Sequence, residues 1–330
     1  MTSDSLIEGQ SLSKIFYRND SFLERGLARL GVPTGLERIQ ALEGVSFRLR
    51  AGEVLGLAGE SGCGKSTLGR IVAGINRPTA GELVFRGRPV AAMNPGQRSA
   101  FGRKVQMIFQ DPFSSLNPRM QIGTAVSQAP LKLGIWKPGE KRERLDALFR
   151  ATGLDASYLN RYPHQFSGGQ RQRVGIARAL AVDPECIVCD ESVAALDVSI
   201  QAQIINLFMD LKARYRLSYL FTSHDLGVIR HICDRVLIMY LGRIVESADA
   251  DTLFSDPQHP YTRVLLRSVP SIKERRRDHR PAQGEPPSPL DPPAGCHFHP
   301  RCELARSRCR REVPALRAVG PEHFVSCHLV

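Results

Sequence analysis

The sequence predicts an α/β domain built around a largely parallel β-sheet. Two apolar runs are typical of buried strands, VLGLAG at residues 54–59 and IVC at residues 187–189. Amphipathic helices are predicted between such runs, one starting at Lys65 and one over residues 203–214. Continuous apolar strands that alternate with helices are typical of parallel sheets covered on both faces.

The other predicted elements follow along the chain. Residues 122–181 are predicted to be mostly helical. A hairpin is predicted from two short apolar runs that turn at Leu241 and Gly242, over Arg235–Tyr240 and residues 243–247. Further strands are predicted at residues 11–17, 42–50, 81–85, 105–109 and 217–222.

The chain of 330 residues is long enough for two unequal domains. We predict a larger domain at residues 1–270, whose helical subdomain covers about residues 120–182. A linker at residues 271–293 contains the basic run KERRRDHR and the proline-rich run PAQGEPPSPLDPP, which cannot continue a helix or a sheet. A small cysteine-rich domain is predicted at residues 294–330.

The composition is that of a globular protein with a strong positive charge. The apolar fraction of 42% supports a sizeable core, and no apolar run is long enough to cross a bilayer. The opening MTSDSLIEGQ lacks the basic and apolar regions of a signal peptide, so we expect the chain to stay in the cytosol. The net charge of +12 suits a nucleic acid, an anionic membrane face or a solvated arginine-rich surface, and it does not decide among them.

A phosphate-binding loop is the most specific motif. The run GESGCGKST fits G-x-x-x-x-G-K-[ST] and lies between a predicted strand and a predicted helix, the context in which this motif is informative. Its glycines allow successive backbone N–H groups to face a phosphate, its lysine supplies positive charge, and its serine can ligate Mg²⁺. The predicted phosphate-binding residues are Gly59, Glu60, Ser61, Gly62, Cys63, Gly64, Lys65, Ser66 and Thr67.

A second predicted strand ends in two carboxylates. In CIVCDE, Asp190 is placed to hold Mg²⁺ and Glu191 to polarise an attacking water. Cys186 and Cys189 in the same run suggest a metal site, but side chains three apart in a strand point to opposite faces. We therefore predict that both are core thiols.

A second glycine-rich helix start occurs about a hundred residues after the phosphate loop. In FSGGQRQR, Ser167 is a good N-cap, and the backbone N–H groups behind it can attract an anion. Two other residues have ordinary alternatives when considered alone: Gln110 as a loop amide and His224 as a histidine at the edge of the core.

Together these motifs resemble the nucleotide-binding subunit of an ABC transporter over about residues 6–270. The resemblance implies an ABC-type P-loop NTPase fold, with Walker A at the phosphate loop and Walker B at the strand ending in Asp190. FSGGQ resembles the signature motif, with Phe166 in the usual leucine place, and Ala195-Leu196-Asp197 resembles the D-loop. Gln110 matches the Q-loop, and His224 matches the switch histidine.

The resemblance also implies roles. Glu191, His224 and Gln110 form the catalytic set, in which Gln110 senses Mg²⁺ and water and joins Ser66 and Asp190 as its metal ligands. Phe16 is expected to stack on adenine, with Tyr17 as the alternative. In this family two subunits pack head to tail, so that each ATP lies between Walker A of one subunit and the signature of the other. The predicted residues for the partner's ATP are Ser167, Gly168, Gly169 and Gln170, with Asp197 nearby.

One departure from the family pattern affects the expected rate. The family usually has proline after the catalytic glutamate, and this chain has Ser192, followed by Val193 and Ala194. The fixed φ of proline is therefore absent, and we expect a competent but less rigid loop. A regulatory subunit with weak hydrolysis is an alternative on this ground.

Four segments resemble one branch, the oligopeptide and dipeptide importer ATPases with their nickel-importer relatives: QDPFSSLNPRM, RYPHQFSGGQRQR, ALDVSIQAQ and HPYTRVLL. The tail SPLDPPAGCHFHPRC is also typical of this branch. The resemblance implies a second homologous ATPase as heterodimer partner, two permeases and a solute-binding protein, at the cytoplasmic face of the bacterial inner membrane. It implies ATP and Mg²⁺ as cofactors and no nucleic-acid partner.

The tail cysteines suggest a metal centre, because disulfides are disfavoured in a cytosolic chain. Their spacing, C-x5-C-x6-C-x17-C, matches no standard zinc or ferredoxin pattern. Related importers favour a [4Fe-4S] cluster, with Zn²⁺, free thiols or a disulfide as alternatives. The predicted ligands are Cys296, Cys302, Cys309 and Cys327, with nearby histidines in reserve: His297, His299, His323 and His328.

A different class of function is a soluble ABC protein of translation or DNA repair, for which the positive charge would argue. Those proteins usually carry two cassettes or a long coiled-coil insertion, and this sequence shows neither. We therefore expect a motor for peptide import, with nickel or another small solute as the alternative cargo.

Overall fold

The computed structural model describes residues 5–18, 37–111, 116–194, 196–267, 284–285 and 287–330. A four-stranded antiparallel sheet is formed by the first part of the chain. Across this sheet the strands are β2 (Glu37–Arg50), β1 (Ser5–Arg18), β4 (Ala80–Phe85) and β5 (Arg88–Pro89). The alternating burial along β2 matches a strand with one face on the core.

A second sheet of eight strands forms the centre of the fold. Its strands in spatial order are β11 (Arg317–Gly320), β12 (His323–Val325), β10 (Arg243–Asp249), β9 (Arg235–Tyr240), β3 (Val54–Ala58), β8 (Ser218–Ser223), β7 (Cys186–Asp190) and β6 (Val105–Ile108). The strands from β9 to β6 run parallel, and β10, β12 and β11 are antiparallel to their neighbours. The predicted α/β class with a largely parallel sheet is confirmed.

Nine α-helices are present in the described part of the chain. They are α1 (Lys65–Val72), α2 (Pro95–Lys104), α3 (Ile122–Lys132), α4 (Lys141–Ala151), α5 (Gly168–Leu180), α6 (Val198–Tyr215), α7 (Leu226–Ile232), α8 (Ala250–Ser255) and α9 (Pro260–Arg267). Helix α2 was not predicted from the sequence, although its local signals are present. Asn94 and Gln97 form a capping box, and Pro95 occupies the first turn.

Two apolar cores cover the two faces of the eight-stranded sheet. Cys189 lies in the core with Phe208 and Tyr219, whereas Cys186 lies in the other core with Leu68. The prediction that Cys186 and Cys189 point to opposite faces as core thiols is confirmed. Burial raises the pKa of the Cys186 thiol to about 12, so it stays protonated at neutral pH.

Helices α3, α4 and α5 pack around a third apolar cluster. Trp136, Phe149 and Phe166 are buried in it, and Tyr158 meets Phe166 edge to face with ring centroids 5.5 Å apart. This cluster gives the helical region a core of its own, beside the end of the sheet where β6 and β7 lie.

The prediction of a separate cysteine-rich domain is not confirmed, because the end of the chain extends the central sheet. Strand β12 pairs with β10 through Glu246 opposite Val325, and Phe298 is buried in the core with Tyr240 and Tyr261. Packing against an existing sheet and core therefore supplies burial that so short a segment could not provide alone.

Glu246 stabilises the contact between β10 and the tail strand β12. Its carboxylate is fully buried, accepts the N–H groups of Gln258 and His259 at 2.7 and 2.9 Å, and lies 2.8 Å from Nε2 of His323. Burial lowers the pKa of His259 to about 3, so this histidine is neutral and does not compensate the carboxylate. The contact between His323 and this carboxylate therefore ties β12 to β10.

No helix in the described ranges is long and apolar enough to cross a bilayer.

Candidate ATP site

The phosphate loop takes the shape that its glycines predicted. Gly59 and Gly64 have φ of 156° and 111°, respectively. A Cβ added to Gly59 would lie 2.2 Å from the carbonyl oxygen of Met239, and one added to Gly64 would lie 2.6 Å from that of Ala41. Only glycine fits such a close backbone approach. Gly64 is the N-cap of α1 and provides no side-chain cap, so the first N–H groups of this helix face the loop.

Lys65 places its ammonium group inside this loop. Nζ donates to the carbonyl oxygens of Gly59 at 2.8 Å and Glu60 at 3.0 Å, and the residue is only 4% exposed. A buried cation surrounded by backbone amides is suited to the β- and γ-phosphates of a nucleotide.

The predicted Mg²⁺ residues Ser66 and Asp190 lie side by side. Ser66 Oγ donates to Oδ1 of Asp190 at 2.8 Å, joining the start of α1 to the end of β7. Thr222 at the end of β8 donates to the same oxygen at 3.1 Å. A hydroxyl and a carboxylate at this spot are oxygen ligands of the kind Mg²⁺ prefers, so these residues fit the ion.

Glu191 is the point at which the predicted catalytic residues meet. Its Oε2 accepts from Gln110 Nε2 at 3.1 Å and lies 3.5 Å from His224 Nδ1, and its Oε1 lies 3.7 Å from Lys65 Nζ. Along the chain, Gln110 is 81 residues from Glu191 and His224 is 33 residues from it. The fold brings both side chains to this one carboxylate. A carboxylate held beside a lysine, an amide and a histidine is suited to orienting and polarising water.

The backbone of Glu191 is strained. Its φ of 44° lies in the left-handed region, which costs about 1–2 kcal/mol for a residue with a Cβ. Thr222 holds this conformation, because its Oγ1 and carbonyl oxygen both accept from the Glu191 N–H, at 2.9 and 3.2 Å. A proline at position 192 would push Glu191 toward extended backbone, and the buried Ser192 imposes no such restriction.

The second glycine-rich motif begins α5 as predicted. Ser167 is the N-cap, with a capping box in which its Oγ accepts the Gln170 N–H at 3.4 Å and Gln170 Oε1 accepts the Ser167 N–H at 3.0 Å. Gly169 packs on α6, where an added Cβ would lie 2.5 Å from Cγ2 of Ile200. The helix start is therefore fixed in place, with Ser167 and Gly168 exposed at the surface.

The remaining nucleotide-site predictions lie at the surface. Phe16 is 37% exposed on β1, with the Lys14 ammonium 5.1 Å from its ring centroid, and Tyr17 is 49% exposed. Both can receive a flat ring, so the choice between them stays a prediction. Asp197 is the exposed N-cap of α6, while Ala195 lies outside the described residues.

Three residues that hold the site were not predicted from the sequence. Thr222 supports both Asp190 and Glu191, and Tyr261 and Arg301 both contact Glu60 in the phosphate loop. Only Thr222 had a signal in the sequence, because it is the first residue of the TSHDL motif. The other two contacts join segments far apart in the chain, and no spacing in the sequence indicates them.

The four tail cysteines surround one small cavity. It is lined by Cys296, Cys302, Cys309 and Cys327 together with His259, Pro260, Phe298, His299, His328 and Leu329. Among the described residues, however, no three His, Cys, Asp or Glu side chains are grouped closely enough to hold a metal ion. The predicted metal is therefore not supported by a preformed single-ion site.

Three of the reserve histidines each use one ring nitrogen in a hydrogen bond to a backbone carbonyl oxygen. His297 and His299 Nδ1 lie 3.1 and 2.9 Å from the carbonyl oxygens of Leu241 and Cys296, and His328 Nε2 lies 2.9 Å from that of Glu312. Burial raises the pKa of the Cys296 thiol to about 11. Backbone N–H groups of Arg306 and Leu329 lie 3.5 Å from the sulfurs of Cys309 and Cys327. Burial also raises the pKa of the Cys327 thiol.

Two family models match the chain. Residues 42–194 match the model described as ABC transporter, and residues 245–309 match the model of the oligopeptide/dipeptide transporter C-terminal region. The first match contains the phosphate loop, the signature and Glu191, and the second contains Tyr261, Arg301 and three of the tail cysteines.

Several curated proteins are similar over most of their length. The oligopeptide transport ATP-binding protein AppF of Bacillus subtilis is 47% identical over 88% of this chain and 90% of that protein. The di/tripeptide transport ATP-binding protein DppF of Pseudomonas aeruginosa is 48% identical over 90% of this chain and 92% of that protein.

Solved structures agree with the fold. The dimeric ATP-binding cassette MJ0796, bound to ADP and Pi, is 27% identical with a TM-score of 0.62, over 74% of this chain and 98% of that one. CbiO1 of Clostridium perfringens, with a TM-score of 0.63 at 24% identity over 77% of this chain and 92% of that one, shares the fold. The phosphate loop, the converging Glu191 site and these likenesses together show that the chain belongs to the ATP-binding subunits of ABC transporters, and it is an ATPase.

Proposed function

We propose that this chain hydrolyses ATP to power the import of di- or oligopeptides across a bacterial inner membrane. The observation that carries the proposal is the similarity over about nine-tenths of the chain to transport proteins named for oligopeptides and di/tripeptides. The match of residues 245–309 to the oligopeptide/dipeptide transporter C-terminal region supports the same cargo.

The proposed ATP site is shared between two chains. Lys65 and the first turn of α1 bind the phosphates, Ser66 and Asp190 hold Mg²⁺ with Gln110 nearby, and Glu191 orients the attacking water. Bound Mg²⁺ would neutralise charge on the phosphate oxygens. The signature of the partner, corresponding to Ser167, Gly168, Gly169 and Gln170 here, covers the γ-phosphate from the other side. The dimeric form named for MJ0796 supports this arrangement.

Closing the pair is then a two-state change that ATP drives by binding the closed form more tightly. The partner is a second homologous ATPase, and the pair acts on two permeases that receive cargo from a solute-binding protein. The chain is attached peripherally at the cytoplasmic face of the inner membrane. We infer that the chain acts without a nucleic-acid partner.

Copurification and cargo assays test this proposal together. An affinity-tagged chain is purified from membranes in mild detergent, its partners are identified by mass spectrometry, and ATP hydrolysis is measured with the reconstituted complex. We expect two permeases, a second ATPase, and stimulation by a peptide-loaded binding protein. Stimulation by nickel alone would replace peptide as the cargo, and recovery with ribosomes or DNA instead of permeases would refute the transport role.

We further propose that the tail cysteines hold a [4Fe-4S] cluster, with Zn²⁺ as the alternative. All four line one cavity, which supports a shared ligand. A single zinc ion draws its sulfurs to about 2.3 Å from one point, and no such tight grouping occurs among the described residues. A [4Fe-4S] cluster is held by four cysteine thiolates, the number of cysteines that line this cavity.

Loss of one proposed ligand tests the cluster. We expect Cys309→Ser to lose most bound iron and acid-labile sulfide, and with them the visible absorbance of the anaerobically purified chain. Cys233→Ala is the matched control, since Cys233 is a buried thiol that does not line this cavity. Zinc without sulfide in the wild-type chain would establish the alternative, and neither metal would leave the cysteines as free thiols or a disulfide.

A further inference from the structure

A salt bridge joins the cysteine-rich tail to the phosphate loop. Arg301 Nη1 and Nη2 donate to the two carboxylate oxygens of Glu60 at 2.7 and 2.9 Å, across 241 residues of chain. The Arg301 side chain is only 6% exposed and that of Glu60 is 28% exposed. Paired, nearly parallel hydrogen bonds between a guanidinium and a carboxylate are the strongest form of this contact, and Glu60 raises the pKa of Arg301.

An aromatic cluster packs next to this salt bridge. Tyr240, Tyr261 and Phe298 pack on one another with ring centroids 4.6–5.3 Å apart. The Arg301 guanidinium lies 5.8 Å from the Tyr240 ring centroid and donates to the Tyr240 hydroxyl at 3.3 Å. The hydroxyl of Tyr261 accepts the backbone N–H of Glu60 at 2.9 Å. Glu60 is therefore held at both its backbone and its side chain.

The segment that carries Arg301 is held at its start by contacts with other parts of the chain. Arg301 lies between Cys296 and Cys302, whose sulfurs line the tail cavity. The carbonyl oxygen of Cys309 accepts the Cys296 N–H at 2.9 Å, and Arg243 of β10 donates to the carbonyl oxygen of Gly295 at 2.9 Å. The position of the guanidinium thus depends on the folded tail.

Holding Glu60 matters because this residue touches the phosphate-binding lysine. The Glu60 carbonyl oxygen accepts from Lys65 Nζ at 3.0 Å, so its carboxylate is attached to the loop that receives the nucleotide. Without Arg301, a free carboxylate at this position would repel the phosphates and compete with them for Lys65. The pairing with Arg301 compensates the negative charge of Glu60 and orients its carboxylate toward the tail.

We propose that Arg301 is a positioning residue through which the cysteine-rich tail holds Glu60 and strengthens nucleotide binding by the phosphate loop. The tail then acts on the known reaction through one guanidinium, while the adjacent cysteines keep that guanidinium in place. The proposal rests on ATP binding at this loop and is independent of the transported solute and of the identity of any tail metal.

Nucleotide affinity of the full-length chain tests this role. We expect Arg301→Ala to raise the Kd of a fluorescent ATP analogue about 3- to 10-fold, as loss of a charge-assisted pair predicts. Arg301→Lys should fall between it and the wild type, because lysine keeps the charge and loses the paired geometry. Arg308→Ala is the matched control on the same tail, since Arg308 pairs only with the exposed Glu312 in the described structure.

A double-mutant cycle separates positioning from general destabilisation. In a Glu60→Gln background the negative charge is gone, so Arg301→Ala should change Kd by less than about twofold. An equal effect of Arg301→Ala in both backgrounds, or an unchanged Kd with wild-type Glu60, would overturn the proposal.

Tyr261→Phe keeps the test decisive if Arg301→Ala does not fold. It removes only the acceptor for the Glu60 N–H and leaves the aromatic packing intact. We expect a higher Kd with little change in melting temperature, and a Kd equal to that of the wild type would contradict the role assigned to the held Glu60.

Discussion

Glu191→Gln is expected to reduce ATP hydrolysis by the assembled transporter by about 10²–10⁴-fold, the contribution typical of a general base. Glutamine keeps the size of the side chain but removes the charge that polarises water. It can still contact Gln110 and His224, which lie 3.1 and 3.5 Å from the Glu191 carboxylate. ATP binding through Lys65 should persist, so the variant should hold ATP without turning it over.

Phosphate release and equilibrium ATP binding, measured on the same preparation, check this expectation. Glu185→Gln is the matched control, because Glu185 lies at the opposite end of β7 and pairs with Arg86 and Lys104. Hydrolysis within a factor of about three of the wild type would show that another group activates the water.

Gly168→Asp is expected to reduce hydrolysis by the assembled pair by about 10²-fold or more, comparable to loss of a donor that stabilises transition-state charge. Gly168 is the first residue of α5, and among the described residues only Leu196 lies near an added Cβ, at 3.5 Å. A carboxylate here favours the helix, because it complements the positive N-terminal end. Folding should therefore be preserved, while the new charge repels the γ-phosphate bound by the partner.

Two comparisons make this experiment specific. Gly168→Ala adds a Cβ without a charge and should retain most activity. In Gly168→Asp, the Kd for ATP at this chain's own phosphate loop should stay within about twofold of the wild type, because the two motifs serve different ATP molecules. The shared site would be contradicted if the isolated Gly168→Asp chain lost ATP binding as strongly as the assembled pair loses hydrolysis. Full turnover by a monomeric Gly168→Asp chain would contradict it as well.

Local sequence patterns were sufficient for the elements that carry the ATP site. A glycine-rich loop between an apolar strand and a helix has few backbone solutions, so the loop at Lys65 could be predicted from its residues. The same holds for Ser167, whose capping interaction with Gln170 spans three residues. The missed helix α2 had similar local signals at Asn94 and Pro95, so that omission was avoidable.

The sequence by itself determined the phosphate loop, the carboxylates at the end of β7 and the capped start of α5, because each depends on neighbours a few residues away. Only the tertiary structure decided that the tail extends the central sheet and that Arg301 holds Glu60. Pairing of β12 with β10 and the contact across 241 residues both depend on which surfaces meet when the chain folds. The local sequence around a residue does not indicate a partner that lies far away along the chain. These contacts form because Phe298 and Tyr261 are buried in one core, which brings both segments together.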